Sequence, residues 1–425
     1  SLNPTFIIIY RNKILLSVKK PVNLMINLYF KEDAMSLEKL AEISRLYGSD
    51  PEYVIAGGGN TSFKNRDFLY VKASGTSLAA AKPGDFVKMD RAAMAAIWKK
   101  NYPAETAARE ADVLADMMGS RCPGEEAKRP SVETLLHDLL PYEYVVHTHP
   151  ALVNGLTCSV SGKQIADKLF PGSFWIPLVN PGYILSKTVK ETIEASGTIE
   201  ASGTGAATGR RGKNIIVFLQ NHGVFVAADT AEEVNKTYKN IMGILGQNIT
   251  KKADLGNALD KFGGSEVTGK TIMDFMQKTY SDKKWFIKFL RNNGIAAFTA
   301  DRRAFEPVSS AYTPDHIVYS GSNPLFIDNL ETNNEFTAES ISKSIAAHIR
   351  AAGRIPKIIA VRSMGIFGLA NSEKAAGNAV ELFNDTVKIA VYSQNFGGSC
   401  FMSKDMIDFI NNWEVEQYRS QAAEK

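Results

Sequence analysis

Two of the chain's six histidines, His147 and His149, stand one residue apart in the apolar stretch EYVVHTHPALVNGL, residues 143 to 156. In a strand successive side chains point to opposite faces, so both imidazoles face one side and Thr148 the other. A metal can bridge that spacing. A blander reading is two core histidines, each hydrogen-bonded to a partner of its own. His222, in FLQNHGVF at the end of another apolar run, adds a third imidazole beside Gly223, where the backbone can turn tightly. Three neutral imidazoles with an open fourth position make a catalytic zinc pattern, whereas a structural zinc has four protein ligands, usually including cysteine. No cysteine lies at a matching spacing.

Glu133 lies at the start of SVETLLHDLL. A first-turn carboxylate is ordinary there because it complements the helix dipole. The chain soon returns with His147-Thr148-His149, however, and that return could bring Glu133 to a metal. The glycine turns GGGNTS (57–62) and KASGTS (72–77) offer amides and small hydroxyls that suit a phosphate, and the start of the Ser131 segment offers a third set of donors. Each turn taken alone also reads as an ordinary connection between strands.

These groups must be positioned by an alternation of helices and short apolar strands from Ser36 to about Lys252. YVIAGGGNTSFKNRDFLYVKASGT reads as strand, glycine turn, strand and turn. RAAMAAIWKKNY and AAREADVLADMM read as helices. SVETLLHDLL reads as a helix of about three turns capped by Ser131, with YEYVVHTHP after it as a strand. After NIIVFLQNHGVFVAA come Asp229 and Thr230, then the helix AEEVNKTYKNIMGIL. The tandem copy TIEASGTIEASG (192–203) with TGAATG reads as surface loop.

A longer repeat spans the two halves. NIIVFLQNHGVFVAADTAEEVNKTY recurs in outline as PKIIAVRSMGIFGLANSEKAAGNAV, matching Gly223 with Gly365, Phe225 with Phe367, Thr230 with Ser372 and His222 with Met364. YVVHTHPALV is likewise matched with HIVYSGSNPLF, which puts Tyr319 and Gly321 at the places of His147 and His149. Chance similarity between two strand-turn-helix units is the competing reading. If the repeat is real, the second half keeps the fold and has lost the ligands.

A chain of 425 residues favours two or three domains. With 44% hydrophobic and 22% charged residues it is an ordinary globular composition, and a net charge of +4 gives no broad footprint for nucleic acid or an anionic membrane. Three cysteines without CxxC spacing argue against a disulfide framework and for a reducing cytoplasm. The sequons at Asn60 and Asn248 would matter only in a secreted protein. Residues 1–34 are apolar but interrupted by Arg11, Lys13, Lys19, Lys20 and Pro21, too often for a membrane span. They are expected to be a leader or N-terminal arm, with a helix starting at MSLEKLAEISRLYG and Ser36 as its N-cap.

In order and rough spacing, GGGNTS, KASGTS, RPSVETLLHD, VVHTHP and QNHGVFVAADT resemble the class II aldolase/adducin family over about residues 36–252. The region from about 270, with TPDHIVYSG and FINNWEVEQYRSQAAEK, resembles the part of the bifunctional rhamnulose-1-phosphate aldolase/alcohol dehydrogenase proteins that lies after their aldolase motifs. Those proteins continue into a short-chain dehydrogenase domain, but this sequence has no nucleotide-binding GxxxGxG turn, so no dehydrogenase activity is carried over.

The resemblance implies an α/β fold of α+β-like, three-layer character, with a central, mostly antiparallel sheet flanked by helices. The expected organisation is an arm at 1–34, a zinc domain at 35–255 and a C-terminal α/β domain at 270–425, a metal-free degenerate repeat if the internal similarity holds. It further implies that His147, His149 and His222 bind one Zn2+ per chain and that Glu133 is the acid/base. Gly59 and Asn60 would hold a dihydroxyacetone phosphate unit, with Ser74, Gly75 and Ser131 at the phosphate.

The expected reaction is cleavage of a ketose 1-phosphate, of the rhamnulose or fuculose type, to dihydroxyacetone phosphate and an aldehyde such as L-lactaldehyde. Zinc would stabilise the enediolate charge and remote phosphate binding would fix the reacting carbons. The expected partners are a phosphorylated sugar and further copies of the chain in a homo-oligomer, with no nucleic acid and no membrane. Pentulose-phosphate 4-epimerases of the family carry aspartate where this chain has Glu133, which favours the aldolase. An adducin-like role without chemistry, or a decarboxylating or dehydrating use of the same zinc, is the remaining alternative.

Overall fold

The computed structural model describes residues 9–10, 13–14, 22–197, 212–257, 264–328, 337–415 and 418, with side chains from residue 34 onward. The first sheet has seven strands: β1 (Asn60–Lys64), β2 (Phe68–Lys72), β3 (Phe86–Asp90), β4 (Tyr144–Thr148), β5 (Phe174–Ile176), β6 (Asn214–Leu219) and β7 (Gly223–Ala228). Their order is β3-β2-β1-β4-β7-β6-β5, and only β5 and β6 run parallel. The expected mostly antiparallel sheet is present.

Period-2 alternation sorts its side chains into two cores. Val146, Val224 and Val226 pack with Leu40 of the helix Val22–Gly48 and with Val234, Tyr238 and Ile241 of the helix Ala231–Asn248. On the opposite face Val145, Phe225 and Ala227 pack with Leu136, and with Leu185, Val189 and Ile193 of the helix Tyr183–Ala195. Helices therefore cover both faces, and His147 lies on the second face, towards the segment that carries Glu133.

A second sheet holds β8 (Phe286–Leu290), β9 (Leu325–Ile327), β10 (Ile358–Val361) and β11 (Gly365–Ala370), ordered β8-β11-β10-β9, with only β9 and β10 parallel. This is the order and direction of β4-β7-β6-β5. One constant sequence offset relates the registers of the first three strands of each set: Tyr144 pairs with Ala228 and Thr148 with Val224, as Phe286 pairs with Ala370 and Leu290 with Ile366, whereas β5 and β9 depart from it, since Phe174 pairs with Val217 and Leu325 with Ile359. The same offset relates two left-handed residues, Asn221 (φ 54) and Ser363 (φ 57), whose amides bond the carbonyls of Thr157 and Thr299. It also relates the caps Thr230 and Ser372, each accepting an amide at the start of the following helix. Among the described residues the second sheet has no counterpart of β1, β2 and β3.

Four expectations are corrected. His316–Ser320 forms one π-helical turn, so Tyr319 and Gly321 are not the counterparts of the histidine pair. The register puts Phe289 in the place of His147 and Arg291 in that of His149, while Met364 stands for His222 as expected. The first helix begins at Val22, because nothing after Pro21 breaks it, so Ser36 lies inside it. Residues 53–55 form no strand, and β1 begins only after the glycine turn. The helix after Ser131 runs only from Thr134 to Leu139 with Glu133 in the N-cap position, and Ser131 Oγ accepts from the Glu133 amide and from Asn60 Nδ2. The first TIEA of the tandem copy closes the helix Tyr183–Ala195; residues 198–211 of that segment lie outside the described residues.

Candidate active site

β4 ends by delivering His147, and the chain leaves the strand through His149 and Pro150 into the helix Ala151–Thr157. His222 sits in the turn between β6 and β7. A Cβ on Gly223 would lie 2.5 Å from the Thr148 carbonyl and 2.7 Å from the His149 ring, so only glycine lets this turn close over the pair. One ligating atom from each of His147, His149 and His222 lies within 4.8 Å of the others.

The outer nitrogens set the rings. His147 Nδ1 donates to the Val224 carbonyl at 2.9 Å, and the ring stacks on Phe225 at 4.0 Å. His149 Nδ1 donates to Asp315 Oδ2 at 2.5 Å. Both Nε2 atoms therefore carry lone pairs inward, and they lie 2.8 Å apart. Two such lone pairs repel unless a cation lies between them, so the donor set fits a metal. Burial holds His222 at a pKa down to about 3, against an opposing pull from Glu133, which keeps its imidazole neutral for the same purpose.

Glu133 Oε1 is buried without a hydrogen-bond partner, 3.4 Å from His147 Nε2 and 3.5 Å from His222 Nε2. Its other oxygen accepts from Asn60 Nδ2 at 2.5 Å. Asn60 is itself oriented: Ser62 Oγ donates to His137 Nδ1 at 2.7 Å, and His137 Nε2 donates to the Asn60 amide oxygen. Burial together with the neighbouring His147 and Lys64 holds His137 well below the usual histidine range, as this neutral relay requires. The Asn60 amide nitrogen also reaches Ser131 Oγ at 3.2 Å.

A small cavity of about 50 Å³ opens on this group. Glu133, His149 and His222 form its floor, while Gly59, Asn60, Ser74, Gly75 and Ser131 form the wall, so the turns and the histidines expected to share a site do so. His147 is fully buried behind them. Gly59 has φ +68 and a Cβ there would meet the His147 carbonyl at 2.7 Å, which accounts for the glycine.

Sequence reasoning missed several groups. Lys72, the first residue of the KASGTS turn, also lines the cavity and brings a cation to the anion side. His137 was legible only as part of a helix. Asp315, Pro314 and Val415 come from far along the chain, and no local spacing links them to the histidines.

Residues 38–241 match the family described as Class II Aldolase and Adducin N-terminal domain, the family the motifs resemble. A Bacillus subtilis (strain 168) protein described as uncharacterized oxidoreductase YuxG is 28% identical over 332 residues, 72% of this chain and 45% of that protein. The chain thus spans less than half the length of that relative. Among solved structures, the N-terminal class II aldolase domain of a conserved protein from Thermoplasma acidophilum is 27% identical, with a TM-score of 0.40, covering 50% of this chain and 92% of that one. L-fuculose-1-phosphate aldolase from Thermus thermophilus is 16% identical, with a TM-score of 0.31, covering 49% and 92%. No helix among the described residues is long and apolar enough to cross a membrane.

Proposed function

We propose, from the premise that residues 38–241 form a class II aldolase/adducin domain, that this chain is a metal-dependent lyase cleaving a ketose 1-phosphate to dihydroxyacetone phosphate and an aldehyde. The carrying observation is Glu133 Oε1, a buried carboxylate oxygen without a hydrogen-bond partner, facing two of three clustered imidazoles. His147, His149 and His222 would hold one Zn2+, which supplies Lewis-acid stabilisation of the charge left when the C3–C4 bond breaks. Glu133 holds the proton for the reacting carbon at Oε1, while Asn60 pins Oε2 and so aims the free oxygen. Ser74, Gly75, Ser131 and Lys72 line the side where a phosphate would anchor, and Gly59 lets the backbone approach it.

The three cysteines are free, which suits a reducing cytoplasm, and a homo-oligomer belongs to the same reading. The test offers rhamnulose 1-phosphate, fuculose 1-phosphate and a pentulose 5-phosphate to zinc-loaded protein, with coupled detection of dihydroxyacetone phosphate. Release from either hexulose phosphate is expected. Epimerisation of the pentulose phosphate without any such release would replace the aldolase by the epimerase.

A further inference from the structure

The segment Pro314–Asn323 is a wall with two sides. One side serves the histidine cluster: Pro314 lines its cavity, Asp315 holds His149, and Tyr319 packs with Ile55 and Ala56 beside the glycine turn. The other side, through Ile317, Val318 and Gly321, borders a cavity of about 240 Å³, several times the size of the first. The rest of that cavity comes from the end of the helix Ala338–Ala352, the connection 354–357 that leads into β10, and the helix Lys404–Asn412.

Its polar lining is Ser322, Asn323, His348, Arg354, Lys357 and Asn411, with no carboxylate among the described lining residues. An adjoining cavity of about 160 Å³ shares Val318, Ile355 and Lys357, adds Lys283 and again has no carboxylate. Lys357 Nζ donates to the Val318 carbonyl at 2.5 Å, so one cation is already held at the junction. Burial lowers the pKa of His348, which leaves it a neutral donor or acceptor. Two or three cations with amide and hydroxyl groups, in a recess of this size, suit a small anionic molecule.

We propose that this cavity is a second ligand site, taking a small phosphate monoester whose phosphate lies between Lys357 and Arg354. The anion competes with the Val318 carbonyl for the Lys357 ammonium. That carbonyl lies in the π-helical turn directly following Asp315, and single π turns are frequent at functional sites. The occupant thereby bears on His149 through Asp315, a consequence that rests on the reading of the histidines as a metal centre. Binding itself does not rest on it.

Titration calorimetry of the metal-free full chain with glycerol 3-phosphate, and in parallel with inorganic phosphate, tests the site. Ser74→Asp places a carboxylate in the turn of the first cavity and removes binding there. Binding that survives Ser74→Asp, and weakens about tenfold or more in Arg354→Ala and in Lys357→Met, is the expected result. Arg354 is exposed, so its change leaves the fold intact even where Lys357→Met does not. Tighter binding of the monoester identifies an organic phosphate as occupant, and equal binding identifies the free anion. Binding abolished by Ser74→Asp alone, or indifferent to both cavity changes, overturns the proposal. In the Ser74→Asp protein, glycerol 3-phosphate should weaken zinc binding severalfold against a chelator, and an unchanged affinity would remove the link to Asp315. Absence of aldolase activity leaves the calorimetric result standing, so the two readings fail separately.

Discussion

The sheet segments β4-β7-β6-β5 and β8-β11-β10-β9 share order and direction, and their first three strands share a register, yet only the first gathers metal-ligating side chains among the described residues. The difference is confined to a few positions. Where His147 stacks on Phe225, the second unit places Phe289 against Phe367 at 4.9 Å. Where His222 follows a left-handed Asn221, Met364 follows a left-handed Ser363. The packing is retained with apolar side chains of suitable shape, while the polar groups that need a partner are gone. Among the described residues the second unit also has no counterpart of the strands β1 and β2, on which Asn60 and Lys72 sit. A strand-turn-helix frame is thus sufficient for a core, and a site needs the frame plus the added strands.

Making the first unit resemble the second should remove the metal and keep the core. His147→Phe with His222→Met should leave a folded protein, by circular dichroism and cooperative unfolding, whose zinc content falls from one equivalent to none and whose cleavage falls to background. The reverse pair, Phe289→His with Met364→His, should gain no equivalent, because Arg291 occupies the third position. Glu133→Gln should keep the metal and lose about 10²- to 10⁴-fold in kcat. Asp315→Ala should weaken zinc affinity about 10- to 100-fold in a chelator competition, with Asp315→Asn, still an acceptor for His149 Nδ1, recovering part of it.

The smallest effect is on acid stability. The folded state holds His222 at about 3 and His137 well below its ordinary value, so between there and about 6.5 the unfolded chain binds more protons. The stability of the metal-free protein should be fully present above that range and be lost as pH falls through it. His222→Met should flatten this dependence in unfolding curves at pH 7 and pH 5, as befits a position where the second unit carries methionine.

What the sequence disclosed depends on the reach of its signals. His147 and His149 were legible because alternation along a strand is local, and Asn60, Ser74 and Ser131 because their turns are punctuated by glycine or start a helix. Asp315 was not legible, since its role depends on the packing of a remote turn against His149. The internal repeat was legible through β6-β7 and β10-β11, where glycines and caps persist. It failed at the histidine strand: Phe289 and Arg291 share no residue type with their counterparts, and HIVYSG is similar only in composition. The early start of the first helix escapes a reading that weights Met35 above the unbroken run after Pro21.

In the proposed reading one unit holds a metal and its structural counterpart holds none. Zinc per chain in the native protein, with the number of imidazole nitrogens around it by X-ray absorption, tests that most directly. One equivalent bound by three imidazole nitrogens is predicted. A native protein without metal, or one holding two equivalents, would contradict it.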